Sequence, residues 1–151
     1  MTRAIMQRLR FSNETADMVV AAVHKHMNMT NAREMRVSTL RRFVGSPSFT
    51  IDLELHRLDC LASHGKLDHY RFVKAFADEV SRESPLPPPW VTGTDILGIG
   101  VPQGPEVGRW RTTAYDAQLE GRFGSREELL AWIKNQIRQE PGYSEPPPVR
   151  A

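Results

Sequence analysis

Residues 87–110 read PPPWVTGTDILGIGVPQGPEVGRW, and the fold class turns on them. Consecutive prolines, a Thr92-Gly93 corner and the Gly104-Pro105 step hold too many turn formers for a strand. The run ILGI is too apolar for a disordered linker. Pro85, Pro87, Pro88 and Pro89 each fix their own φ and disfavour helix in the residue before, which predicts an extended connection. GTDILGIG then has room for about two helical turns. Pro105 suits the first position of another helix, where the missing N–H would lack an intrahelical partner anyway. The stretch reads as a break between two helical units, residues 1–84 and 85–140.

The flanking sequence repeats like helix on both sides. Downstream, PEVGRWRTTAYDAQLEG sets Val107, Trp110, Ala114 and Ala117 in one stripe. Ser125-Arg126-Glu127-Glu128 has the form of a capping box, and Leu129, Trp132, Ile133 and Ile137 give the buried face behind it. Upstream, Ser12 and Asn13 precede ETADMVVAAVHKHM, with an apolar face starting at Met18, Ala21, Ala22 and Val23. NMTNA reads as a polar corner. Ser38 is the expected cap of TLRRFV, which stops at Gly45, and Pro47 is expected just inside the next start. In FTIDLELHRLDCLASHG, Ile51, Leu55, Leu58 and Ala62 share one face, with a left-handed exit at Gly65. Leu67, Tyr70, Val73, Ala77 and Val80 form the face of the helix after it. The expectation is an all-α fold: a helical bundle, a Pro-rich connection, a smaller helical unit, and a disordered tail at 141–151.

At 151 residues with 40% hydrophobic and 25% charged residues, the composition supports a real core. No apolar run approaches the roughly 20 residues of a membrane span. MTRAIMQRLRFSNE lacks an apolar signal core, and a lone Cys60 excludes intrachain disulfides, which together imply the cytoplasm. The net charge of +2 is unevenly spread. Residues 1–45 hold 8 Lys/Arg against 3 Asp/Glu, a balance of +5. This asymmetry permits a polyanion partner, with Lys25, Arg33, Arg36, Arg41 and Arg42 as its candidate contacts. A solvated helical surface is the alternative.

The residues also carry outlines of enzymatic sites. VGSPSFTIDLEL joins a Gly-Ser turn to an acid-x-acid pair, the outline of a metal-dependent nucleotidyltransferase site using Asp52 and Glu54. In a strand those carboxylates share a face, whereas in a helix they diverge by about 200°. His56 and Asp59 are spaced to share a hydrogen bond or a ligand, but the histidines form no metal set and no Ser-His-Asp arrangement is present. The start at Gly104-Pro105 presents free N–H groups beside Arg109 and Arg111, with Glu106 already at that end.

Three stretches carry a resemblance. LELHRLDCLASHG, PPPWVTGTDILGIGVPQGPEVGR and YDAQLEGRFGSREELLAWI resemble, in family order, the C-terminal half of bacterial CCA-adding tRNA nucleotidyltransferases and their poly(A) polymerase relatives. The likeness runs over residues 5 to 138. It implies that residues 1–84 resemble the helical body and 85–140 the tail, which grip tRNA or other structured RNA mainly through its backbone and shape. Arg109 fits the family position at the start of a tail helix, with Arg111 beside it. The catalytic head and the neck are missing, and magnesium and ATP or CTP would belong to that head. The resemblance implies no catalytic or metal-binding residue in this chain, which would then be a stand-alone module, a fragment, or half of a split enzyme with a separate head chain as its partner. The alternative is an interaction or self-association scaffold, with apolar surface expected near residues 1–25, where Ile5, Met6, Leu9 and Phe11 lie.

Overall fold

The computed structural model of the chain describes residues 1–140. The expected tail at 141–151 lies outside them. Among the described residues there is no strand, and the fold is all-α as the periodicity predicts. No helix among them is long and apolar enough to cross a membrane. The chain divides into two compact units, Met1–Pro85 and a second that begins at Leu86.

The first unit contains α1 (Thr2–Arg8), α2 (Asn13–Lys25), a 3₁₀ helix (His26–Glu34), α3 (Val37–Val44), α4 (Phe49–Ser63) and α5 (Asp68–Val80). The segment expected as a polar corner is thus a 3₁₀ helix, kinked at Asn31, and it packs against α2, α4 and α5. Ala32, Leu40 and Val73 are buried together beneath Phe43, Phe49, Phe72 and Phe76. The rings of Phe43 and Phe49 meet edge to face at 5.6 Å, a geometry that suits the aromatic quadrupole. Val73, Ala77 and Val80 of α5 are buried as expected. Ser12 caps α2, its Oγ accepting from the Thr15 N–H.

Further local expectations are corrected, among them the expected face of α4: Ile51, Leu58 and Ala62 are exposed and Leu55 is half-buried, while Asp52, His56 and Cys60 are buried. Ser38 does not cap α3: the helix starts one residue earlier, at Val37, with Arg36 extended at the cap. Ser38 is therefore inside the first turn, and it is buried. Pro47 is not inside α4, because Ser48 is the cap and a turn from Ser46 to Phe49 precedes the helix. In α2 the buried positions are Ala16 and Ala22, while Met18 and Val23 are exposed. Small side chains there allow close approach of neighbouring helices. Gly65 does provide the exit of α4 at φ 71°, with its N–H bonded to the Cys60 carbonyl at 2.7 Å.

The second unit holds α6 (Gly93–Ile99), α7 (Pro105–Leu119) and α8 (Arg126–Arg138), with α7 packed on both others. Its core joins Val91, Ile96, Ile99 and Val101 to Trp110, Ala114, Ala117, Leu129, Ile133 and Ile137. Pro105 is at the first helical position. Ser125 Oγ accepts from the Glu128 N–H, but the Glu128 carboxylate reaches one residue further back, to the N–H of Gly124. The full capping box is at Thr92 and Asp95 instead.

The proline segment is held by α7 and α8. Tyr115 donates to the Pro87 carbonyl at 2.8 Å, and Gln118 Nε2 donates to that of Pro88 at 2.9 Å. Gln118 Oε1 accepts from the Trp90 N–H at 2.8 Å, and Arg126 Nε donates to the Trp90 carbonyl. A polyproline segment has no internal hydrogen bonds, so side chains supply the partners that a strand would take from a neighbour.

Asp95 links these parts by accepting from the Thr92 N–H and hydroxyl and from Arg126 at 2.6 Å. The Thr92 backbone bond leads in holding its carboxyl below the ordinary value of 3.8, followed by the Thr92 hydroxyl, with Arg126 adding to the effect. A depressed carboxylate contributes stability that is fully present above the ordinary value and lost as pH falls through the folded one. Melts followed by tryptophan fluorescence should show this unit losing stability below about pH 4, with a shallower acid loss in Asp95→Asn.

Candidate functional site

The expected basic contacts of the first unit sit on elements around the 3₁₀ helix. Lys25 ends α2, Arg33 lies in the 3₁₀ helix, Arg36 precedes α3, and Arg41 and Arg42 occupy its last turn. Lys25, Arg33 and Arg36 are exposed. The guanidinium of Arg33 lies over the Phe72 ring, 5.2 Å from its centroid. Such stacking holds the group flat while leaving its N–H edges outward. Arg41 is different: its side chain is 18% exposed and stands 3.7 Å from Glu83.

Lys25 also meets a polar seam. Its Nζ is 3.4 Å from Ser48 Oγ, which donates to Asp52 Oδ2 at 2.8 Å and lies 3.0 Å from Ser46 Oγ. Asp52 is only 1% exposed, and its Oδ1 has no hydrogen-bond partner. Further along the same face, His56 Nε2 is 3.5 Å from Cys60 Sγ, and both residues are buried. Burial, then the charge of Asp59, raises the Cys60 thiol above its ordinary range, so the thiolate is disfavoured. His56 thus faces Cys60, and Asp59 is exposed.

This seam removes the geometry that a carboxylate-pair catalyst needs. Asp52 points inward, while Glu54 is exposed and bonded to Arg57 by contacts of 2.6 to 3.0 Å. The two carboxylates lie on different faces of α4 and do not converge on one ion. Among the described residues, no group of three His, Cys, Asp or Glu side chains is placed to hold a metal ion.

In the second unit Arg109 is bound by two carboxylates, Glu106 at 2.6 Å and Glu140 at 2.5 Å, and covers the Trp110 ring at 4.4 Å. Its guanidinium pKa is raised, chiefly by the hydrogen bond to Glu140 and then by that to Glu106. Arg111 is exposed on the same helix. Arg122 was not singled out by the sequence. It lies 4.4 Å over Trp132 and 5.6 Å over Phe123.

Over 134 residues, 87% of its length, the chain is 34% identical to a CC-adding tRNA nucleotidyltransferase from Thermus thermophilus. The resemblance expected from the three stretches is present. The chain spans 30% of the length of that nucleotidyltransferase. No protein-family model and no solved structure matches it. Two of the three stretches carry residues of these clusters. The first, 53–65, brings His56 and Cys60 into the seam. The third, 115–133, carries Gln118, Arg122 and Arg126. The seam had a signal in the sequence, since Asp52, His56 and Cys60 recur every four residues. The ring stack under Arg122 had a weaker one, an Arg-Phe pair nine residues before Trp132.

Proposed function

We propose that the chain is an RNA-binding helical module of the CCA-adding nucleotidyltransferase and poly(A) polymerase family, acting in tRNA 3′-end processing together with a catalytic head. The observation that carries this reading is the 34% identity, over most of the chain, to an enzyme that adds CC to tRNA. The positive balance of residues 1–45 supports it, because a polyanion is gripped by charge before it is read by shape. In the first unit Lys25, Arg33 and Arg36 lead the contact, with Arg42 a further candidate; in the second unit the candidate is Arg111. Arg41 must release Glu83, and Arg109 must release Glu106 or Glu140, before either engages a phosphate. Magnesium and ATP or CTP are assigned to the head, and the cytoplasm to the complex.

The test is a fluorescence-anisotropy titration of the chain with tRNA. At about 50 mM salt, a grip through the phosphate backbone predicts a dissociation constant on the order of micromolar, within the range of sequence-independent binding. A constant no better than about 1 mM under those conditions ends the proposal.

A further inference from the structure

In the first turns of α7 a cation already has its binding edge filled. Arg109 gives Nε and Nη2 to Glu106 at 2.7 and 2.6 Å, and the same Nη2 to Glu140 at 2.5 Å. Nε and Nη2 form a fork that can hold a carboxylate or a phosphate through two parallel bonds. Two carboxylates against one guanidinium leave the cluster net negative, so it repels a phosphodiester that the guanidinium alone would attract.

The two carboxylates have different reasons to be there. Glu106 lies in the first turn of α7, where the free N–H groups of the helix start favour a negative charge. Glu140 lies just past the end of α8, where the carbonyl end of a helix disfavours one. Its N–H bonds to the Ile137 carbonyl at 3.2 Å, and its side chain has no partner but Arg109 among the described residues. Helix chemistry thus accounts for Glu106, while Glu140 answers only to an arginine 31 residues away. The bridge is open to water, with Arg109 43% and Glu140 40% exposed, so an anion of the same geometry can displace it. We propose that Glu140 is an internal competitor for RNA: it occupies Arg109 in the free chain, and a backbone phosphate must displace it to use that cation. This rests on the RNA-binding reading and adds a contact that the free chain keeps closed. A merely structural tie between α7 and the end of α8 predicts otherwise, since its loss would lower stability and raise no affinity.

Anisotropy titrations of the full chain with tRNA at about 50 mM salt decide it. Glu140→Gln should bind about three- to fivefold tighter than the wild type, the size of an exposed ion pair no longer in competition. Both side chains are exposed, so its melting temperature should stay within a few degrees of wild type. In an Arg109→Gln background the same Glu140→Gln change should gain less than about 1.5-fold, because the cation it would release is gone. A Glu140→Gln chain no tighter than wild type overturns the proposal. So does a gain that persists in the Arg109→Gln background, which marks relief of general repulsion and not release of Arg109. A wild type that binds no tRNA defeats the RNA-binding reading itself, whereas a binding wild type matched by Glu140→Gln defeats this inference alone.

Discussion

Gln118→Leu is expected to destabilise the unit beginning at Leu86 by about 2–4 kcal/mol, as much as emptying its core at Ile133. Gln118 is 8% exposed and is the only side chain in that unit that both donates to and accepts from the proline segment among the described hydrogen bonds. Leucine keeps the volume but leaves the Trp90 N–H and the Pro88 carbonyl without it. A half-buried orphan N–H costs about 1–3 kcal/mol, and the more exposed carbonyl is partly rescued by water. Detachment of the segment also uncovers Val91, which is buried in the core beside Ile96. Domains of this size have only a few kcal/mol of stability, so the unit should be close to its midpoint at room temperature. Urea unfolding followed by tryptophan fluorescence measures the effect. Gln118→Glu is the informative companion: it keeps the acceptor for Trp90 and loses the donor for Pro88, so its loss should be smaller at acid pH, where the carboxyl regains a proton to donate.

The second large effect concerns RNA. Replacing Lys25, Arg33 and Arg36 together by glutamine is expected to weaken tRNA binding about a hundredfold at low salt. A charge-assisted contact contributes about 1 kcal/mol or somewhat more, and 1.4 kcal/mol is a factor of ten. All three side chains are exposed, so folding should be retained, and a melting temperature lowered only slightly by loss of the Arg33–Phe72 stack and the Lys25–Ser48 contact verifies that. Arg41→Gln should behave differently. It breaks the partly buried approach to Glu83 and should lower stability before it lowers affinity.

Local chemistry explains which parts of this fold were legible. Pro105, Gly65 and the Ser125 cap were readable because each depends on residues within one turn of itself. The faces of α5, α7 and α8 were readable because their apolar residues are also the buried ones. Helix α4 was misleading for the same reason in reverse. Its inward side meets partners distant in the chain: Ser48 meets Lys25, 23 residues earlier, and Phe49 and Leu53 pack against Ala32, Leu40 and Val73. Hydrophobic periodicity located the helix but not which side faces inward. The Ser38 cap failed because the chain enters α3 through an extended Arg36, and a serine in the first turn competes poorly with that entry. The basic residues were legible as charges. Their differences, with Arg33 laid on a ring, Arg41 near Glu83 and Arg109 held by two carboxylates, depend on tertiary neighbours.

The salt dependence of tRNA binding probes the grip on a phosphate backbone most directly. Between about 50 and 200 mM salt, three phosphate contacts predict a log–log slope near −2.7 and a loss of affinity of about 40-fold, and the triple glutamine variant should flatten that slope toward zero. A wild-type slope near zero, or a slope unchanged in the triple variant, would contradict the assignment of these residues to the RNA.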